Sequence, residues 1–322
     1  MTDASTPATL DVLGSPYTVE VIEMPDDDEG AVIASLVSRA PEDANGSAVL
    51  HVHGFADYFF QTEYAEWWTT RGYAFYAIDL RKHGRSLLPH QSPCYVDNLD
   101  DYFPELDRAW QRITERDGFR KVIVSGHSTG ALTVLLWLQS RQPLDLAGLV
   151  LNSPWFDMHG SFWSRTVGTT VVKRIGARQP KRQISRSVSG LYARSLHKDY
   201  EGEWSFNLDW KPLQSFPVYA GWLRAVRNGH ARLHRGLRIP QPALVLSSRR
   251  STQPTEMGPD VHLTDIVLDV DQIRKWAPAV GDHLTSIAVD DALHDVFLSA
   301  PQVRARAFGV LERWLEAYLT RR

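Results

Sequence analysis

Cysteine is almost absent from this chain of 322 residues. The single cysteine, Cys94, cannot form a disulfide bond within the chain. A cysteine-rich zinc site is excluded for the same reason, because such a site needs several thiolate ligands. So little cysteine is typical of proteins from reducing compartments, in which disulfide bonds rarely persist.

Long apolar runs are also missing. No stretch of about 18 apolar residues occurs, so the sequence predicts no membrane-spanning helix. Residues 1–13 are acidic and polar and lack the basic start and apolar centre of a secretory signal peptide. The net charge of −3 provides no basic surplus for binding nucleic acid. We therefore expect a globular, cytoplasmic protein that does not bind nucleic acid.

Apolar runs rich in β-branched residues alternate with helical patterns along most of the chain. The first two runs, Tyr17–Met24 and Ala31–Ser38, are predicted to form a hairpin around an acidic turn. An amphipathic pattern over Gln302–Leu319 predicts a closing helix. This alternation favours an α/β fold, with a mostly parallel eight-stranded sheet flanked by helices. The other six predicted strands are Ala48–His53, Tyr73–Leu80, Lys121–Ser125, Leu146–Asn152, Pro242–Ser247 and Leu284–Val289.

The pentapeptide Gly126-His127-Ser128-Thr129-Gly130 is the most informative motif. An apolar strand pattern precedes it and a helical pattern follows it, which is the context of a nucleophile elbow. A turn this sharp leaves no room for a bulky side chain near the serine, which explains the two glycines. The turn also places the serine hydroxyl at a helix N-terminus, where partial positive charge favours a developing anion. Ser128 is therefore the predicted nucleophile.

The segment 155–239 interrupts the alternation of strands and helices. It carries 15 Lys and Arg residues against five Asp and Glu residues, and it shows no clear strand pattern. We interpret 155–239 as a helical lid inserted into a core made of residues 1–154 and 240–322, placed to lie over Ser128. Its basic surplus suggests an anionic substrate or contact with an anionic lipid surface. A lid helix that covers the pocket is the preferred interpretation.

A serine nucleophile needs a base, and in this type of fold the base is a histidine late in the chain. His262, His283 and His294 are late enough. His294 follows the last predicted strand, so its loop is expected at the same sheet edge as the elbow. His283 precedes that strand and emerges at the opposite edge, whereas His262 lies in an earlier loop. His294 is therefore the preferred base.

The base needs a carboxylate to orient it, and this residue is expected after the strand Pro242–Ser247. Asp265 is preferred, and Asp260 is the main alternative. Because the loop 247–264 is long, the sequence leaves the choice between these two open. Three other aspartates fit less well, either at a predicted helix start or after the preceding strand: Asp269, Asp271 and Asp157.

An oxyanion hole needs two backbone N–H donors aimed at the developing negative charge. Thr129, directly after the nucleophile, is expected to supply one. Phe55 is expected to supply the other, because Gly54 allows a tight turn after the third strand. His51 and His53 share one face of that strand, but no third ligand accompanies them, so they are expected to be structural. No metal or other cofactor is predicted.

Five motifs between residues 47 and 296 form a combined pattern. They are His53-Gly54-Phe55, Asp79…His83-Gly84-Arg85-Ser86, the pentapeptide, Thr264–Asp269 and Leu293-His294-Asp295-Val296. This combination resembles the α/β-hydrolases, in particular the branch with monoacylglycerol lipases and serine aminopeptidase-like hydrolases. The resemblance implies the α/β-hydrolase fold and a Ser-His-Asp triad. It also implies that the loop beginning at Asp79 is structural.

The expected activity is hydrolysis of a carboxylic ester through an acyl-enzyme on Ser128. The resemblance implies a monoacylglycerol, a lysophospholipid or another small acyl ester as substrate. Two alternatives remain, namely a small-ligand binder with slow or no turnover, and a peptidase or amidase. The complete set of candidate catalytic residues argues against the first, and the basic segment argues against an aminopeptidase, which needs an acidic group for the substrate amine. The candidate substrate contacts are His127, Trp155, Phe162 and Trp163.

Overall fold

The computed structural model describes residues 7–158, 175–184 and 190–319, and within these ranges the chain is built around a nine-stranded sheet. Two further short strands pair only with each other. In chain order the strands are β1 (Thr9–Leu10), β2 (Thr18–Asp27), β3 (Gly30–Arg39), β4 (Ser47–Val52), β5 (Ala74–Asp79), β6 (Lys121–His127), β7 (Leu146–Asn152), β8 (Gln183–Ile184), β9 (Val218–Tyr219), β10 (Ala243–Ser248) and β11 (Leu284–Val289).

The sheet is antiparallel at one end and parallel over the rest. Its strand order is β1-β2-β3-β5-β4-β6-β7-β10-β11. The pairs from β1 to β5 are antiparallel, and those from β5 to β11 are parallel. Because parallel strands run in one direction, their carboxyl ends lie along one edge of the sheet, where α/β proteins bind their ligands.

The predicted α/β fold is confirmed, with two corrections. The eight predicted strands correspond to β2–β7, β10 and β11, but the sheet in the described ranges has nine strands. The additional strand, β1, is only two residues long, too short to produce a periodic pattern. The prediction that segment 155–239 contains no strand is also wrong, because β8 and β9 pair antiparallel within it.

Helices cover both faces of the sheet. Successive side chains of a buried strand point in opposite directions, so its apolar side chains pack against helices on both faces. In β4, Val49 packs on the face covered by α1 (Thr62–Thr69). Leu50 packs on the other face with α2 (Phe103–Gln111) and α3 (Thr129–Arg141). None of the helices in the described ranges is long and apolar enough to cross a membrane. Further α-helices span Leu191–Leu196, Ala220–Leu233, Pro259–Leu263, Val270–Trp276 and Pro301–Tyr318.

Ion pairs connect the basic segment 155–239 to the acidic remainder of the chain. Lys181 contacts Asp28 and Glu29, in the turn between β2 and β3, at 2.7 and 2.8 Å. Most such pairs are partly exposed, and an exposed pair contributes only about 0–1 kcal/mol to stability. Four basic residues of the segment, Lys181, Lys211, Arg224 and Arg232, thus pair with carboxylates outside it. Other pairs formed by the segment are Arg194–Glu201, Lys211–Asp57, Arg224–Asp97, Arg227–Asp157 and Arg232–Asp100.

Candidate active site

Ser128 occupies the turn between β6 and α3 in a strained backbone conformation. Its φ is +52° and its ψ is −117°. A residue with a side chain in such a conformation costs on the order of 1–3 kcal/mol, so the surroundings must hold it. The Ser128 N–H donates to the Asn152 carbonyl at 3.0 Å, and the Trp155 N–H donates to the Ser128 carbonyl at 3.1 Å. These two bonds fix the turn against the end of β7.

The glycines on either side of Ser128 are required by backbone proximity. A Cβ atom on Gly126 would lie 2.6 Å from the Ala131 Cα. A Cβ atom on Gly130 would lie 2.1 Å from the His53 carbonyl oxygen. Contacts this short with backbone atoms cannot be relieved by rotating a side chain. Gly126 therefore allows β6 to approach α3, and Gly130 allows α3 to approach the end of β4.

Gly130→Ala is expected to lower the free energy of unfolding by about 3 kcal/mol or more, because the new methyl group must displace the β4 backbone. Urea unfolding followed by tryptophan fluorescence measures the change. Gly309→Ala is the control, since its Cβ atom would meet only the Arg313 guanidinium at 3.4 Å, within the helix Pro301–Tyr318. The control is expected to gain up to about 1 kcal/mol. Equal unfolding midpoints for the two variants would contradict this account of the turn.

Asp265 and His294 form a buried pair. The His294 Nδ1 donates to Asp265 Oδ2 at 2.9 Å, and the two side chains are 3% and 0% exposed, respectively. Asp265 Oδ1 accepts the N–H groups of Val267 and Leu268, each at 2.8 Å. Burial alone would raise the pKa of Asp265, but His294 and the two N–H donors outweigh it and lower that pKa. Asp265 is therefore an ionised acceptor that fixes the orientation of the His294 ring.

The long loop after β10 folds back on the end of this strand, and this brings Asp265 to His294. The Asp265 N–H donates to the Arg250 carbonyl at 3.1 Å, and the Asp265 carbonyl accepts from Thr252 at 3.2 Å. The alternative acid, Asp260, instead accepts from the Arg250 side chain at 3.2 Å and is half exposed. The other three aspartates have partners elsewhere, as in Asp157–Arg227, Asp269 with the Asp271 N–H, and Asp271–Arg274.

Ser128 and His294 line one cavity of about 300 Å³ at the carboxyl edge of the sheet. Phe55 and Thr129, the two predicted oxyanion-hole residues, line the same cavity. Thr129 begins α3, and the first N–H groups of a helix have no acceptor within the helix. The Phe55 ring packs on Trp222 with 4.1 Å between ring centroids. The cavity thus brings together the side chains and backbone groups of four predicted site residues.

Two of the four predicted substrate contacts, His127 and Trp155, also line the cavity. His127 donates from Nδ1 to the Asn152 carbonyl at 3.2 Å, and burial lowers the pKa of His127, so its ring is neutral. The other two, Phe162 and Trp163, lie outside the described residues.

The histidines of β4 and its loop are structural, as predicted. His53 Nδ1 donates to the Gly54 carbonyl at 2.8 Å, and its Nε2 accepts the Leu80 N–H at 3.0 Å. His51 contacts the Ser125 hydroxyl at 3.1 Å, and burial lowers the pKa of His51 to about 3. Over the described part of the chain, no three His, Cys, Asp or Glu side chains are grouped to hold a metal ion.

The loop after β5 also uses its polar groups internally. Asp79 Oδ1 accepts the Phe59 N–H at 2.9 Å, and its Oδ2 accepts the Arg85 guanidinium at 2.8 Å. His83 donates from Nδ1 to the Arg81 carbonyl at 2.7 Å. These contacts agree with the structural role that the resemblance implies for this loop.

Asn152 is a site residue that the sequence analysis missed. Its carbonyl holds Ser128 from one side, as described above, while its side chain holds the loop that carries His294. Asn152 Nδ2 donates to Asp295 Oδ1 at 2.6 Å, and Asn152 Oδ1 accepts the Val296 N–H at 3.1 Å. A polar residue at the end of an otherwise apolar strand is the one sequence signal that points to it. Asn152 therefore fixes the Ser128 turn and the His294 loop relative to each other.

Lys211 and Asp57 form a second missed feature of the cavity. Lys211 Nζ donates to Asp57 Oδ1 at 2.8 Å, and both side chains are more than 90% buried. Asp57 follows the predicted oxyanion loop, whereas Lys211 lies in segment 155–239. Neither belongs to a motif, so the sequence carried no signal for the pair.

Comparison with protein families assigns the chain to a hydrolase family. The family model Hydrolase_4, described as serine aminopeptidase, S33, matches residues 43–248, which is more than half of the chain. The chain belongs to this family. It is an α/β-hydrolase, as the motifs predict. The match includes the Ser128 turn and ends before Asp265 and His294, so the relation of these two residues to Ser128 rests on the geometry described above.

Solved structures of other hydrolases share the fold. A soluble variant of monoglyceride lipase from Saccharomyces cerevisiae is 15% identical, with a TM-score of 0.66 over 93% of this chain and 96% of that one. A monoacylglycerol lipase from Paleococcus ferrophilus is 20% identical, with a TM-score of 0.62 over 88% and 99%. A carboxyl esterase from Bacillus coagulans is 13% identical, with a TM-score of 0.64 over 93% and 98%. A search of the curated proteins finds no match.

Proposed function

We propose that the chain is a serine hydrolase that cleaves carboxylic esters through an acyl-enzyme on Ser128. The observation that carries this proposal is that the strained Ser128 turn faces the same cavity as His294, whose ring is hydrogen-bonded to the buried Asp265. Family membership supports hydrolysis, and the lipases and esterases among the structural neighbours support an ester as the bond cleaved.

In the proposed acylation step, the Ser128 Oγ attacks the carbonyl carbon of the ester while His294 Nε2 takes the hydroxyl proton. The N–H groups of Phe55 and Thr129 hold the oxyanion that forms. When this tetrahedral intermediate collapses, the bond to the leaving alcohol breaks, and His294 returns the proton to the alcohol oxygen. Asp265 keeps the proton on His294 Nδ1 and stabilises the imidazolium.

Deacylation repeats these roles with water as the nucleophile. His294 takes a proton from water, the hydroxide attacks the acyl carbon, and a second oxyanion occupies the same two N–H donors. Collapse of this intermediate breaks the bond to Ser128 Oγ, which recovers its proton from His294. The carboxylic acid is released, and the enzyme returns to its starting state.

We propose further that residues 155–239 form a lid or cap on a core of residues 1–154 and 240–322. Described residues of this segment supply one wall of the cavity, and most of them are apolar. A volume of about 300 Å³ lies at the lower end of the range for small-molecule pockets, which favours a small acyl ester. The wall residues from this segment include Tyr192, Ala193, Leu213, Val218 and Trp222.

Hydrolysis of p-nitrophenyl esters with acyl chains from two to sixteen carbons tests the proposed function. We expect kcat/KM to peak below about eight carbons, because the cavity is small. The matched p-nitroanilides release the same chromophore and are expected to react far more slowly. No turnover of any ester, or faster turnover of the anilides, would overturn the assignment to ester hydrolysis.

A further inference from the structure

The cavity contains one pair of opposite charges beside its apolar walls. Among the described residues that line it, Asp57 carries the one carboxylate and Lys211 the one ammonium or guanidinium group. Their 2.8 Å contact joins the loop after Phe55 to segment 155–239. A charge pair of this kind is costly to bury, because desolvation offsets much of the attraction. Its presence in the cavity therefore needs an explanation beyond stability.

Aromatic rings surround the Lys211 side chain, and Lys211 in turn contacts the Asp57 carboxylate. The Lys211 ammonium lies 5.7–5.9 Å from the ring centroids of Phe60, Tyr192 and Phe206, distances at which aromatic rings attract a cation. Burial alone would raise the pKa of Asp57, but the charge of Lys211 and its hydrogen bond lower that pKa to about 2. Asp57 is thus a carboxylate whose partner comes from the protein itself.

We propose that Lys211 is a specificity-determining residue, because it occupies the carboxylate that a substrate amino group would otherwise bind. The inference rests on the proposed function, since it concerns the same cavity. A cationic ligand meets an Asp57 that is already paired, and an anionic ligand meets a Lys211 that is already paired. Either ion loses its hydration without gaining a free partner, whereas a neutral ester does not incur this cost.

This arrangement argues against aminopeptidase activity, the activity named in the description of the family. An aminopeptidase must bind the charged amino terminus of its substrate next to the scissile bond. In the described cavity, the only carboxylate available for this contact is taken by Lys211. The pair therefore selects uncharged acyl groups and rejects substrates that carry a free amine.

Three ligands with the same apolar tail test the proposal: n-hexanol, n-hexylammonium and hexanoate. Their inhibition of p-nitrophenyl acetate hydrolysis gives an affinity for each head group. Wild-type protein is expected to prefer hexanol. Lys211→Met exposes Asp57 and is expected to bind hexylammonium at least about tenfold more tightly than wild type does, since close charge pairs couple strongly. Asp57→Asn is expected to show the same gain for hexanoate, and the double variant should again prefer hexanol.

Two further measurements keep the test decisive. Lys211→Gln removes the charge but retains a hydrogen-bond donor for Asp57, so it replaces Lys211→Met if that variant does not fold. Calorimetric titration of the three ligands into Ser128→Ala, alone and combined with Lys211→Met, measures binding without turnover. It therefore separates a failure of the proposal from a failure of ester hydrolysis. Unchanged preferences in the folded single variants, or tight hexanoate binding by wild type that is lost in Lys211→Met, would overturn the proposal.

Discussion

Ser128→Ala is expected to lower kcat for p-nitrophenyl butyrate by about 10⁶-fold, the loss seen when a serine hydrolase loses its nucleophile. Alanine retains the Cβ atom and the small volume that the turn accommodates, so the fold is expected to survive. Only the oxyanion donors and the cavity remain, and these still accelerate attack by water to a small extent. Release of p-nitrophenol, measured after repeated purification to remove trace wild-type enzyme, gives the residual rate.

Ser153→Ala provides the matched control for this experiment. Ser153 follows β7, is fully buried, and its hydroxyl has no hydrogen-bond partner in the described part of the chain. Its replacement removes the same atom from the neighbourhood of the site, and we expect activity within about twofold of wild type. Comparable losses in the two variants would show that the site responds to serine deletion in general, and Ser128 would lose its assigned role.

Asp265→Asn is expected to lower kcat by about 10⁴-fold, as the equivalent change does in known Ser-His-Asp enzymes. The asparagine amide can donate to His294 Nδ1, which places the imidazole proton on Nε2, where it cannot accept the serine proton. The shape of the site and the acceptor for the Val267 and Leu268 N–H groups are retained, so the loss falls on kcat rather than on folding. Steady-state kinetics with the same ester measure it.

Asp260→Asn is the control for the acid, because the sequence left these two aspartates as competing candidates. Its surface contact with Arg250 predicts near wild-type kinetics. The pH dependence of stability gives an independent check. The folded pKa of Asp265 is lowered, so its stabilising effect is present above its unfolded pKa and is lost as the pH falls through the folded pKa. If Asp260→Asn abolished activity and Asp265→Asn did not, the assignment of the acid would be wrong.

The elbow could be predicted from the sequence because every part of it is local. Strand, turn and helix are consecutive, and Gly126 is explained by a contact within the turn, although Gly130 is required by the distant end of β4. His294 could be predicted because it directly follows a parallel strand, and the direction of that strand places the His294 loop at the same sheet edge as the elbow. The one strand that the sequence analysis missed in the main sheet, β1, consists of two residues and has no periodicity.

The remaining features depend on contacts between distant segments. Asp265 reaches His294 only because its loop pairs with residues 250–252, and nothing in its composition indicates this return. Asn152 and Asp295 are 143 residues apart, and Lys211 and Asp57 are 154 residues apart. The carboxylates that pair with Lys181, Arg224 and Arg232 of segment 155–239 could likewise not be located from the sequence.

Covalent labelling tests the central claim, that Ser128 is the nucleophile activated by the His294–Asp265 pair. Wild-type protein, Ser128→Ala and Asp265→Asn are treated with a fluorophosphonate, and the adduct is located by peptide mass spectrometry. The account predicts a single adduct on Ser128 in wild type, much slower labelling of Asp265→Asn and no adduct in Ser128→Ala. An adduct on another residue of an active enzyme, or no adduct on an enzyme that hydrolyses esters, would contradict it.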